Sequence, residues 1–125
     1  MAWEGLNRRK FPRVKYPCLI VLQRSTEGKD TILTHTENIG IGGVCVIIKD
    51  NLKMFTLVDV ELDLLDLEDH VKCSGKVVWC VRRKSTEASK PLYYDIGVEF
   101  TDVSDENRQR IDVIVGRLVN QGYVV

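Results

Sequence analysis

Apolar and polar residues alternate with a period of two along most of this chain. Val14, Tyr16, Cys18, Ile20 and Leu22 take every second position, which predicts one long first strand. "STEGKD" (25–30) is small, polar and glycine-containing, and predicts a turn. "TILTHTENI" returns as a strand, glycines break it between Gly40 and Gly43, and "VCVII" resumes it. Val58, Val60, Leu62 and Leu64 alternate with Asp59, Glu61 and Asp63, the cleanest half-buried strand in the sequence. "VKCSGKVVWCVRR" predicts a further strand, bent or bulged at Ser74–Gly75. "KSTEASK" and Pro91 predict a loop, and "YYDIGVEF" the last strand.

The period changes after Thr101. Ser104 followed by Asp105 and Glu106 is a helix start, with acids in the first turn. Ile111, Ile114, Val115, Leu118 and Val119 then recur at helical spacing, so one stripe of that helix faces the sheet. Strand patterns without intervening helices predict an all-β domain, an antiparallel sheet or barrel with one C-terminal helix. A length of 125 residues suits one domain with its own core. Residues 1–13 read as an arm, and residues 14–125 as the barrel and helix.

Charge narrows the function. Lys plus Arg is 18 and Asp plus Glu is 18, so the formal net charge is zero. Broad binding to nucleic acid needs a basic surplus. With aromatics at 7%, the balance also argues against a barrel that stacks single-stranded DNA or RNA. Any anion site must come from local clustering. "MAWEGLNRRK" has no apolar signal-peptide core, and no run approaches the roughly 18 apolar residues of a membrane span. The expectation is a cytoplasmic protein without membrane insertion. Cys18, Cys45, Cys73 and Cys80 form no CxxC and read as buried reduced thiols, so no metal site is expected. His35 and His70 have no nearby nucleophile or carboxylate in a catalytic order, and no catalytic residue, enzyme activity or cofactor is expected.

Local clustering appears twice. "NRRKFPR" (7–13) sets Arg9 and Arg13 as R-x-x-x-R, with Arg8 just before and Pro12 stiffening the backbone between them. A guanidinium is a flat, permanent cation whose fork holds a phosphate or the O6/N7 edge of guanine, and whose face stacks on a base. Such an arm could clamp a small phosphorylated purine; read alone, it is first a solvated basic tail. "NIGIGG" (38–43) places three glycines in four positions between strands, where backbone N–H groups can face an anion. Asn38 adds an amide able to read a base edge. Read alone, this stretch is also an ordinary turn.

"RRKFPRV", then "NIGIGGVCV", then "YYDIGVEF" before a terminal helix together resemble the PilZ domain, a bacterial receptor for cyclic di-GMP. The resemblance runs from about Arg8 to about Leu118. It implies a six-stranded antiparallel barrel with a C-terminal helix, and a ligand held on the barrel's outer surface and wrapped by the arginine arm. By similarity, Arg9 and Arg13 fill the family's RxxxR and grip phosphates and guanines. Asn38 and Gly43 fall on the first and last positions of its [D/N]xSxxG, and Ile96, Val98 and Phe100 become core residues of the late strand. Arg8 sits where an arginine goes with a stacked pair of ligands rather than one.

The family's serine is Gly40 here. A neutral hydrogen bond is worth about 1 kcal/mol, or roughly fivefold in affinity. Each charge-assisted arginine contact is worth about 1.5–3 kcal/mol, so the site outlasts the loss of the hydroxyl. The expected ligand set is therefore Arg8, Arg9, Arg13, Asn38, Gly40 and Gly43. The expected function is a non-enzymatic cyclic di-GMP receptor. It relays binding to an unidentified protein partner as its arm orders on the ligand. The alternative is a degenerate PilZ-like interaction module that no longer binds the nucleotide. A homodimer stays open, with Trp3 as a residue for such a contact. Trp79 reads first as a core or interface tryptophan and second as a stacking platform. The acids between Asp59 and Asp69 read as the wet face of a strand and its turn.

Overall fold

The computed structural model describes residues 12–24, 31–83 and 92–125. The turn at 25–30, the loop at 84–91, Trp3 and the arm through Phe11 lie outside them. Strands β1 (Val14–Lys15), β2 (Leu19–Arg24), β3 (Thr31–Gly40), β4 (Gly43–Ile48), β5 (Leu57–Leu62), β6 (Val71–Arg82) and β7 (Tyr94–Phe100) precede helix α1 (Asp105–Asn120). β3, β2, β5, β6, β7 and β4 are hydrogen-bonded in that order, and β4 pairs back onto β3. All pairings are antiparallel. The result is a closed six-stranded barrel with β1 as an extra strand. β2 uses residues 31–35 of β3, and β1 uses Asn38 and Ile39 further along the same edge.

Alternation sets the inside. Ile20, Ile39, Val46, Val60, Val77 and Val98, each from a different strand, are buried to 3% exposure or less. Each such side chain contributes about 1.5–3 kcal/mol on leaving water. Helix α1 adds Ile111, Ile114 and Val115. Ser104 caps it, its Oγ accepting from the Asn107 N–H at 3.2 Å, with Asp105 and Glu106 in the first turn. Arg110 ties the helix to the β5–β6 connection: Nε donates to Asp66 Oδ2 at 3.0 Å, and Nη2 to Asp66 Oδ1 at 2.8 Å and to the Asp69 carbonyl at 2.7 Å. Asp66 is thus an anchor within the otherwise wet acidic run. No helix among the described residues is long and apolar enough to cross a membrane.

Two expectations fail in instructive ways. The single first strand is two strands, because Pro17 has no N–H to give the ladder and the chain steps off β3 between Tyr16 and Cys18. Thr36, a buried polar residue, closes that step. Its hydroxyl accepts from the Cys18 N–H at 3.1 Å and donates to the Tyr16 carbonyl, and its own N–H donates to the Cys18 carbonyl at 2.9 Å. The second failure is the bulge in β6. Ser74 and Gly75 pair regularly with β5, and the register shifts between Val77 and Trp79 instead. Gly75 answers a packing need: a Cβ there would lie 2.7 Å from Val98 Cγ1.

The cysteines are free thiols, with Cys18 and Cys45 buried and Cys73 and Cys80 half-buried. Burial first, and Asp102 second, push the Cys73 thiol up to about 11.

Candidate ligand site on the barrel wall

Because side chains alternate across a strand, the outward positions of β1, β3, β4, β7 and β6 line up by register. Lys15 pairs with Asn38, Asn38 with Cys45, Cys45 with Gly97, and Gly97 with Trp79. This row runs across five strands on the outside of the barrel. Its far end depends on the β6 bulge. Val77 points inward and is fully buried, so strict alternation would send Trp79 inward as well. The register shift turns it out onto the wall.

Two glycines shape what lies on that row. Gly97 gives Trp79 its seat: a Cβ built there would collide with three atoms of the indole, Cδ2, Cε2 and Cε3. Gly40 does the same for the arm root. A Cβ there would stand 2.8 Å from the Pro12 carbonyl oxygen and 3.3 Å from Arg13 Cγ. Arg13 therefore lies across the bare backbone of Gly40. Its guanidinium carbon sits 4.9 Å from the centre of the Trp79 ring, and Nη1 donates to Asn38 Oδ1 at 3.5 Å. A guanidinium stacked on an indole gains about 0.5–2 kcal/mol, depending on how dry the contact is. Cys45, at the centre of the row, is left 8% exposed.

Gly43 opens β4 opposite Gly40, and a Cβ on it would collide with the Val98 carbonyl oxygen. The Gly40–Gly43 hairpin can thus lie tight against β7 only with glycine at Gly43.

Of the residues expected from sequence, Arg13, Asn38, Gly40 and Gly43 come together on one stretch of wall. Arg8 and Arg9 lie outside the described residues. Trp79 belongs to this constellation rather than to the core. Its signal in "KVVWCV" depends on a bulge between Val77 and Trp79 rather than at Ser74–Gly75. Cys45 is a buried thiol as expected, and Gly97, which carries no signal of its own in the sequence, joins the row through its pairing with Trp79. Elsewhere, a cleft of about 590 Å³ is lined by Glu61, Glu68, Asp69, His70, Lys72 and Asn107. Three carboxylates make it a poor seat for an anion, and His70 is already committed there. Its Nδ1 lies 2.8 Å from Glu61 Oε2, and that bond holds the Glu61 carboxyl below its usual range. Among the described residues no group of three or more His, Cys, Asp or Glu is placed to hold a metal ion.

A stacked, hydrogen-bonded guanidinium beside an open glycine hairpin suits a planar or anionic ligand. No curated protein matches the chain. Among solved structures, the PilZ domain of YcgR from Escherichia coli with c-di-GMP superposes with a TM-score of 0.69 at 13% identity, over 92% of this chain and 94% of that one. MotI (DgrA) of Bacillus subtilis, an inhibitor of motility, gives 0.71 at 16% identity, over 92% of this chain and 51% of that one. MrkH of K. pneumonia with c-di-GMP gives 0.72 at 20% identity, over 92% and 54%. The chain thus spans about half the length of MotI and MrkH, and at these identities the likeness is one of fold. The sequence profile of the PilZ domain matches residues 7–117, from the arginine arm through the barrel into α1, and the chain belongs to the PilZ domain family.

Proposed function

We propose that this chain is a receptor for cyclic di-GMP, bound on the barrel wall between the arginine arm and the Gly40–Gly43 hairpin. The observation that carries the reading is Arg13, stacked on Trp79 and bonded to Asn38 over the bare backbone of Gly40. Binding by structural relatives supports it, since YcgR and MrkH were both solved with c-di-GMP. Arg9 and Arg13 would grip phosphates and guanines, Asn38 would accept from a guanine edge, and Arg8 would admit a second ligand stacked on the first. Residues 1–13 act as the arm and residues 14–125 as its platform. The chain works in the cytoplasm as a binding protein without a catalytic step, and arm ordering alters the surface offered to a protein partner. MotI and the transcription regulatory factor MrkH each carry about as much chain again beyond the part this chain matches.

The test is isothermal titration of cyclic di-GMP into the wild type, Arg9→Ala and Arg13→Ala. Loss of one charge-assisted contact at about 1.5–3 kcal/mol weakens binding roughly 10- to 150-fold. Equal affinity in all three proteins would refute the reading. Gly40 favours a second reading, an interaction module that has lost the nucleotide. No heat in the wild type, together with a copurifying partner, would support that one.

A further inference from the structure

After α1 the chain reverses at Gly122, whose φ of +86° is open to glycine and strained for other residues. It then runs back along the free edge of β1. Val124 forms an antiparallel bridge with Val14, the Lys15 N–H donates to the Tyr123 carbonyl at 3.1 Å, and the Val125 N–H donates to the Arg13 carbonyl at 2.9 Å. The side chains of Tyr123, Val124 and Val125 are each about half exposed, so backbone hydrogen bonds rather than burial hold this segment in place. β1 is only two residues long, and its other edge pairs with Asn38 and Ile39 of β3. The root of the arginine arm is therefore clamped from both sides. The site strand holds one edge, and the segment leaving α1 holds the other.

We infer that Tyr123–Val125 is a strap that positions Arg13 for the ligand and couples occupancy of the site to the end of α1. The inference rests on the cyclic di-GMP reading of that site. The Val125–Arg13 bond fixes the carbonyl of the residue whose guanidinium reaches Trp79 and Asn38, so releasing it frees the arm root to swing. Thermodynamic linkage makes the effect reciprocal: if a closed strap favours binding, bound ligand closes the strap by the same factor. The end of α1 would then report what happens on the barrel wall, through three backbone contacts.

Val125→Pro deletes the N–H that reaches Arg13 without demanding a non-extended backbone, and Val125→Ala retains it at an exposed position. Cyclic di-GMP titration should give an affinity about fivefold weaker for Val125→Pro, the worth of one hydrogen bond, and near wild-type for Val125→Ala. Amide hydrogen exchange on the wild type should show Tyr123–Val125 slowing when ligand is added. A merely structural strap would lower the melting temperature and leave ligand-dependent exchange unchanged. Equal affinities for Val125→Pro and wild type, or strap amides indifferent to a ligand that does bind, overturn the inference and leave the receptor reading intact. A wild type that binds no cyclic di-GMP overturns both.

Discussion

The indole of Trp79 lies face-down on the backbone of Gly97, its partner across β6 and β7. That contact decides what the wall presents, because the other face of the indole carries Arg13 at 4.9 Å. Gly97→Ala is expected to lift the ring. Forcing a methyl group into a filled contact costs about 1–3 kcal/mol in stability, and the stacking beneath Arg13 is lost with it. In a Trp3→Phe background, the fluorescence of Trp79 should shift on the Gly97→Ala change, with weaker cyclic di-GMP binding. An unchanged spectrum and affinity would show that the seat does not matter.

The sequence carried the barrel well, because a period of two survives wherever one side of a strand is buried, as in Val58, Val60 and Leu62. It also carried the helix, since Ser104, its following acids and the stripe from Ile111 to Val115 are short-range signals. The step at Pro17 had a local signal in the proline's missing N–H, whereas at the bulge before Trp79 pairing between strands, rather than local spacing, sets which way the side chain points. A one-residue slip moves a side chain to the other face, which is why Trp79 stands on the wall where strict alternation from the buried Val77 would turn it inward. The glycine hairpin could be found by composition, yet the purpose of Gly40 needed the position of Pro12.

Gly40→Ser restores the family's residue and should still bind less well than the wild type. The added hydroxyl offers about 1 kcal/mol. Its Cβ, however, falls 2.8 Å from the Pro12 carbonyl oxygen, a backbone atom that moves only with the arm root, and overpacking of this kind costs about 1–3 kcal/mol. Titration with cyclic di-GMP checks the balance. A several-fold gain in affinity would mean that the arm root shifts freely and that Gly40 is a simple loss.

Thr36→Val should destabilise the fold more than Thr36→Ser. Valine keeps the shape but strands the Cys18 N–H and the Tyr16 carbonyl at the β1–β2 step, where the hydroxyl now serves both. An unsatisfied buried group costs about 1–3 kcal/mol. Serine retains the hydroxyl and loses only a methyl group. Urea denaturation of both variants gives the comparison, and equal stability of Thr36→Val and wild type would show that the step is held by β3 pairing alone.

The clamp between Arg110 and Asp66 makes part of the stability acid-sensitive. Hydrogen bonds from Arg110 hold the Asp66 carboxyl below its ordinary 3.8. A carboxyl with a depressed folded-state pKa adds stability at pH values above 3.8 and loses it as the pH falls through the lower folded value. Arg110→Met keeps the stem and removes the fork, so it should lower the melting temperature by a few degrees at pH 7. The contribution is modest because the pair is partly exposed and screened. The gap between wild type and variant should then narrow as the pH drops below 3.8 towards 2, because protonated Asp66 no longer attracts Arg110. Thermal melts of the two proteins across that range test it. A gap that stays constant would assign the effect of Arg110 to its bond with the Asp69 carbonyl, which does not titrate.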